Sequence, residues 1–418
     1  MSAQQTDPPV TPSSLAALNP FRVLVQYRNF RLFWVGQTTS LVGTWMQSVA
    51  QGWLALVLTD DPFMVGLVSA AGSFPVLVLS LLAGVVIDRA DKLRLVIVSQ
   101  SLLLAQATTL WWFAWSGHLT IDWLLALALI SGTVNALDIP ARQSTIVELV
   151  SRDDLPSAIA LNSSGFNLAR IIGPGIAAAI IAAFGIAWCF AVNALSYLAV
   201  LIGLLRIELP PRTLAPVAIS PLEGLRQGLA YLNETRTVAV LIRMVAVYSV
   251  FGIPYLVVMP VIARDVLHSD ATGYSGLLTA VGIGGFAGAL ALAAAAPRIA
   301  RGRLLQYAAY AFPLLLIAFS LSRWMALSAA LLLAIGFTMI LNNALTNGLI
   351  QTTVPDELRG RVMSAYTWVF VGLGPIGAMV AGSLASALGA PWAIALGAMV
   401  TLLYAAFTFT RYPELREL

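Results

Sequence analysis

Charge is scarce in this chain of 418 residues, with Asp, Glu, Lys and Arg making up only 10% of it. An ordinary soluble domain carries about 25%, so there is too little charge here to clothe a water-soluble surface. Cysteine is rarer still: Cys189 stands alone, which excludes an intrachain disulfide. The two histidines, His118 and His268, lie far apart in short polar connections, so no metal-ligand spacing arises and no metal is expected. Lysine occurs once, as Lys92. There is no Gly-x-Ser-x-Gly, no His-Glu-x-x-His and no phosphate loop ending in Gly-Lys-Ser/Thr. These absences weigh against an enzyme and against an ATP-driven pump. The net charge of +4 is carried by arginines scattered between apolar runs, which argues against a nucleic-acid partner.

What fills the chain is apolar residue, 59% of the total. A helix that crosses the lipid core needs about 20 mainly apolar residues. Twelve such windows fall near 32–57, 63–87, 95–116, 122–146, 156–183, 186–205, 237–262, 273–296, 304–321, 325–348, 362–387 and 391–410. They are too long for strands and lack alternation, and lipid forbids open sheet edges, so the fold class is an all-α membrane protein. Of the 23 Lys and Arg residues, 19 fall in the connections on the side of the N-terminus, whereas Arg264 and Arg323 fall on the other and Arg170 and Arg243 lie within windows. That bias places both termini in the cytoplasm. Trp53, Trp111, Trp112, Trp115, Trp123, Trp188, Trp324 and Trp392 cluster at the opposite face, as a headgroup belt would. The polar start of the chain, with its Pro and Ser residues, lacks the apolar core of a secretory signal.

The expected organisation is a disordered cytoplasmic tail (1–30), a six-helix half (31–205), a cytoplasmic loop (206–236), a second six-helix half (237–410) and a short tail (411–418). The loop carries Pro210, Pro211, Pro216 and Pro221, then an amphipathic stretch with Leu222, Leu225, Leu229 and Leu232. The two halves repeat. Gly84-x-x-x-Asp88-Arg89-x-Asp91-Lys92-x-Arg94 after the second window answers to Ala293-x-x-x-Pro297-Arg298-x-Ala300-Arg301-x-Arg303 after the eighth. Gly173-Pro174 in the fifth window answers to Gly374-Pro375 in the eleventh. Both matches relate window n to window n+6 in the same orientation, which makes the repeat parallel.

The frame Gly84, Asp88, Arg89, Lys92, Arg94 resembles the signature loop of the major facilitator superfamily, departing from it at Asp91, where the family has glycine. The resemblance implies that Asp88 gates the transporter by docking at the start of the eleventh helix. In the fifth window Ala160, Ala169, Gly173, Pro174, Ala177 and Ala178 resemble the superfamily's exporter motif, with four glycines replaced by alanine. The segments from Ser40 to Gln47, from Asp138 to Gln143 and from Arg359 to Ser364 are similar to the subgroup of drug and siderophore exporters, the transmembrane secretion effectors. This likeness implies efflux of a small amphipathic molecule driven by the proton gradient. The arginine-rich, lysine-poor usage points to a bacterial inner membrane, and a monomer that needs no cofactor is expected. A facilitator or importer of the same fold, or a non-transporting sensor, stands as the alternative.

Polar groups at depth are functional candidates by default. Asp138 in the fourth window and Arg170 in the fifth fall within about 10 Å in depth at 1.5 Å per residue, so they are candidates to pair, either coupling protonation to a shape change or forming a static structural ion pair, with Arg142 as a further candidate. Gln47, Gln51, Asn135, Asn342, Asn343 and Asn347 are candidates to line a central cavity, with Trp45 and Trp368 offering faces to a planar substrate. The alternative for each amide is interhelical packing.

Overall fold

A computed structural model of the protein describes residues 21–208, 235–295 and 300–418; the side chains of residues 80–85, 88, 89, 295 and 357 lie outside the description. Among the described residues, twelve helices are long and apolar enough to cross a membrane. In chain order they are α1 (Arg28–Thr59), α2 (Pro62–Arg89), α3 (Lys92–Trp115), α4 (Ile121–Leu149), α5 (Leu155–Phe184) and α6 (Ala187–Leu204). The second half holds α7 (Arg236–Val266), α8 (Ala271–Ala295), α9 (Arg301–Leu321), α10 (Met325–Thr353), α11 (Asp356–Gly372 and Gly374–Leu388) and α12 (Ala390–Arg411). The chain around residues 21–30, expected to be disordered, is helical: Arg22–Gln26 forms one short helix and Arg28 opens α1. Burial explains the difference, because Val23 and Phe30 pack into an apolar cluster with Val96, Ile146 and Val200. Residues 1–20 and the amphipathic stretch of the central loop lie outside the described residues.

Local chemistry sets the helix ends. Asp61 accepts a hydrogen bond from Phe63 N at 2.8 Å, with Pro62 at the first helical position of α2. Asp91, the residue that departs from the signature, accepts from Arg94 N at 3.1 Å and caps α3. Gly185 and Gly389 end α5 and α11 at φ of 91° and 88°, a backbone region that a side chain would oppose. Each is followed three residues later by tryptophan, Trp188 and Trp392, so the frame Gly-x-x-Trp is a further mark of the repeat. Two helices are irregular. In α7, Pro254 and Pro260 lack the N–H that a helix requires, and the chain passes through π and 3₁₀ turns between Tyr248 and Leu256. In α11 the helix breaks at Leu373, ahead of Gly374-Pro375, whereas α5 runs unbroken through Gly173-Pro174.

Helix pairing carries the repeat into three dimensions. In the first half α2 packs on α4, α3 on α6 and α3 on α4; in the second, α8 packs on α10, α9 on α12 and α9 on α10. Among the described residues, the two main interfaces between the halves are α2 with α11 and α5 with α8. Advancing every number by six exchanges one for the other, as a two-fold axis along the membrane normal requires. Close approach rests on small residues: a Cβ on Gly66 would lie 2.6 Å from Ala378 O, and one on Gly282 would lie 2.9 Å from Ile171 Cα.

The apolar core shows which way the bundle is open. At the end holding Asp60 and Arg264, hereafter the loop end, one cluster contains residues of both halves, among them Leu56, Val65, Met259 and Phe319. At the end holding Arg28 and Arg411, the terminal end, the two halves keep separate clusters. The bundle is sealed at the loop end and parted at the terminal end.

Candidate functional site

Between the halves lie two adjoining chambers of about 650 and 360 Å³. Thr44, Trp45, Ser48, Gly72, Asn135 and Tyr197 line both. The larger chamber runs toward the terminal end past Gln37, Asn162 and Arg142. The smaller runs toward the loop end past Gln51 and Val65, where Leu256, Val257, Tyr274 and Leu278 of the second half meet it. Beyond it the seal consists of a stack of Trp53 on Tyr274, with ring centroids 6.0 Å apart, and an ion pair from Arg264 Nη2 to Asp60 Oδ1. Both contacts bridge the halves.

The exporter-like segment of α5 packs against α1. Ala169, Gly173, Pro174 and Ala177 are buried, and a Cβ on Gly173 would lie 2.5 Å from Trp45 Cβ and 3.1 Å from Val42 O. The missing side chain therefore lets Trp45 occupy its place at the chamber wall, edge-on to Phe166 at 6.1 Å. Buried amides tie the first half together. Asn193 Nδ2 donates to Gln47 Oε1 at 2.7 Å, Gln47 Nε2 to Gln106 Oε1 at 3.2 Å, and Gln106 Nε2 to the Leu127 carbonyl at 3.1 Å. Gln47 thus both lines the smaller chamber and links α1 to α3 and α6. Gln51 Nε2, also at the smaller chamber, has no hydrogen-bond partner among the described residues.

The charged centre of the wall is Asp138, fully buried in α4. Gln100 of α3 donates from Nε2 to both carboxylate oxygens, at 3.0 and 3.1 Å. Arg142, one turn further along α4, brings Nε to 2.7 Å of Asp138 Oδ2, a contact of charges that is not aligned as a hydrogen bond. Arg142 reaches the larger chamber while Asp138 stays behind it. The expected pairing of Asp138 with Arg170 is not the one formed. Arg170 Nη2 instead lies 3.5 Å from Met339 Sδ of α10, with Tyr248 and Tyr255 as electrostatic neighbours. Equal depth does not make a pair: α4 turns its carboxylate toward α3, whereas α5 turns Arg170 toward the other half.

Of the cavity candidates, Trp45, Gln47 and Asn135 line the chambers; Asn343, Asn347 and Trp368 do not. Asn347 accepts from Gln351 Nε2 at 2.5 Å, and Trp368 packs on the core of the second half. The cavity is asymmetric, lined mostly by α1 to α6, so polarity at membrane depth does not by itself bring the α10 asparagines to it. Gln100 was overlooked, although two glutamines inside one apolar window, Gln100 and Gln106, were signal enough. In the signature loop, Lys92 Nζ pairs with Glu148 at 2.9 Å and exposed Arg94 with Asp91 at 3.3 Å. Gly84, Asp88 and Arg89 belong to the last turns of α2, and the docking expected of the Asp88 side chain lies outside the described residues.

Comparison with known proteins accords with this architecture. Residues 15–417 match the family model of the transmembrane secretion effectors. The chain is 27% identical over 392 residues to the multidrug efflux pump Tap of Mycolicibacterium fortuitum, across 91% of this chain and 94% of that one. It is 24% identical over 256 residues to the staphyloferrin A transporter of Staphylococcus aureus, across 60% and 63% of the two chains. Among solved structures, a bacterial homolog to the human lysosomal transporter Spinster, in an inward-facing and unoccupied conformation, superimposes with a TM-score of 0.71 at 15% identity, over 95% of this chain and 98% of that one. A D-xylose-proton symporter superimposes with a TM-score of 0.72 at 14% identity, over 94% and 100%. Likeness at such identities establishes the fold. The chain belongs to the transmembrane secretion effector family of the major facilitator superfamily, and is a multi-pass transporter of small molecules in the bacterial plasma membrane, not an enzyme.

Proposed function

We propose that this transporter exports a small amphipathic organic molecule, of the drug or siderophore class, in exchange for protons, working as a monomer with both termini in the cytoplasm. The observation that carries the reading is the pairing of a cavity parted at the arginine-rich end with a buried carboxylate in its wall. With the terminal end cytoplasmic, the state described is the one that loads substrate from inside. The relatives named above are efflux pumps and a siderophore transporter, which supports the direction.

Alternation then follows from the two inter-half interfaces. Parting α2 from α11 and α5 from α8 at the loop end, while the terminal ends close, transfers access without unfolding either half. Asp138 is the proton carrier in this scheme. Ionised, it holds Arg142 and Gln100; protonated, it releases the charge attraction to Arg142. Removing one partner of a buried ion pair costs about 3–5 kcal/mol. Inverting a 1:99 population needs about 5.5 kcal/mol. One protonation therefore supplies more than half of that shift, and substrate binding supplies the rest.

The test is flux in everted vesicles preloaded with a proton gradient. Substrate uptake that stops when an ionophore collapses the gradient is the expected result. Uptake that continues at the same rate would reject proton exchange.

A further inference from the structure

A charge at mid-membrane depth with no counter-ion in the protein needs one from elsewhere. Among the described residues, Arg170 is such a charge. Its contact is the Met339 sulfur, a weak acceptor, and no carboxylate among the described residues pairs with it. The neighbouring phenol of Tyr248 is buried, and its hydroxyl has no hydrogen-bond partner among the described residues. One turn earlier on α5, Phe166 and Asn167 line the larger chamber. A guanidinium held only by a sulfur thus lies one turn from the larger chamber, with an unpaired phenol as its electrostatic neighbour. The described side chains lining the two chambers include no carboxylate, and their one charge, that of Arg142, is matched by Asp138. The middle of the protein is left positive.

We propose that the transported molecule carries a carboxylate or another anionic oxygen group, and that Arg170 with the Tyr248 hydroxyl forms the subsite receiving it; this rests on the transport reading above. A guanidinium and a phenol offer parallel donors to an oxyanion. The amides and hydroxyls of the chamber wall, with Trp45 and Phe166, suit a flat apolar body bearing hydroxyl groups. A substrate cation would meet two arginines and no free acid. A resident inorganic anion would satisfy the same charge, and the experiment separates the two.

The full chain in lipid nanodiscs is dialysed to equilibrium against three coumarin glycosides that share one skeleton: 4-methylumbelliferyl glucuronide (anionic), glucoside (neutral) and glucosaminide (cationic amine). The glucuronide is expected to bind roughly tenfold more tightly than the glucoside, the size of one charge-assisted contact, and the amine most weakly. Arg170→Gln should remove that preference by bringing glucuronide binding down to the level of the glucoside; Tyr248→Phe should narrow it, and gives a second readout if Arg170→Gln does not fold. Equal binding of glucuronide and glucoside, binding of none of the three, or a preference that survives Arg170→Gln would overturn the proposal. So would loss of the preference in about 0.15 M chloride or phosphate, which would assign the subsite to an inorganic anion. Proton-driven uptake into everted vesicles is scored separately. Its persistence without a glucuronide preference sinks the subsite alone, and its absence sinks the exporter.

Discussion

Gly66 offers a direct handle on the alternation. In the state described, a methyl group at this position would stand 2.6 Å from Ala378 O and 3.0 Å from Gly382 Cα, both backbone atoms of α11. Ordinary contact begins near 3.4 Å, so Gly66→Ala requires α2 and α11 to part by several tenths of an ångström. Overpacking of this kind costs about 1–3 kcal/mol. It is felt only while the loop end is closed, so it should shift the population toward the state open on that side by about 5- to 150-fold. Ser69, on α2 at the smaller chamber, can be replaced by cysteine as a reporter. The native Cys189 is fully buried and contributes little background. A membrane-impermeant thiol reagent applied from the periplasmic side should label Ser69→Cys much faster in the Gly66→Ala background. Gly276→Ala, which meets open space, is the control expected to change nothing. A labelling rate within about twofold of the parent, the scale of ordinary mutational scatter, would refute the idea that this crossing holds the loop end shut.

Asp138→Asn should flatten the pH dependence of efflux between mildly acidic and mildly alkaline buffers, because the group that exchanges the proton is gone; an unaltered profile would remove Asp138 from the coupling. Asp88→Asn should slow the transport cycle while expression and substrate binding stay near normal, and a wild-type turnover rate would dismiss the gating role of the signature loop. Asp60→Asn breaks an exposed ion pair worth about 0.2–1 kcal/mol. It should therefore raise periplasmic labelling of Ser69→Cys by at most about fivefold, with the difference fading at high salt; a larger, salt-independent rise would mean that the Asp60 contact dominates the seal.

The periodic features were the legible ones. Twelve windows became twelve helices with ends displaced by a few residues, because lipid leaves the backbone no other way to satisfy its polar groups. Gly173-Pro174 and its counterpart Gly374-Pro375 announced the repeat, and Gly185-x-x-Trp188 with Gly389-x-x-Trp392 would have strengthened it. The same two Gly-Pro steps also mark a limit. One sits inside an unbroken helix and the other follows a break, since neighbouring α7 is itself irregular where Gly377 presses against Ser249 O and Pro254. Polar residues fared unevenly for a related reason. Asp138 and Arg170 are both conspicuous in an apolar run, yet nothing in their spacing tells which helix each one faces.

By itself the sequence determined the solvent of this protein, the number of its helices, the parallel repeat and, through its arginines, the expected orientation. All of these depend on composition and on distance along the chain. Tertiary structure alone decided that Arg142 and Gln100 hold Asp138, that Arg170 stands apart, that the cavity lies mainly in the first half, and that the loop end is shut. Those outcomes depend on how rotations about twelve helix axes combine. A span can turn about its axis without changing its hydropathy, and only the packing against its neighbours selects which face looks inward.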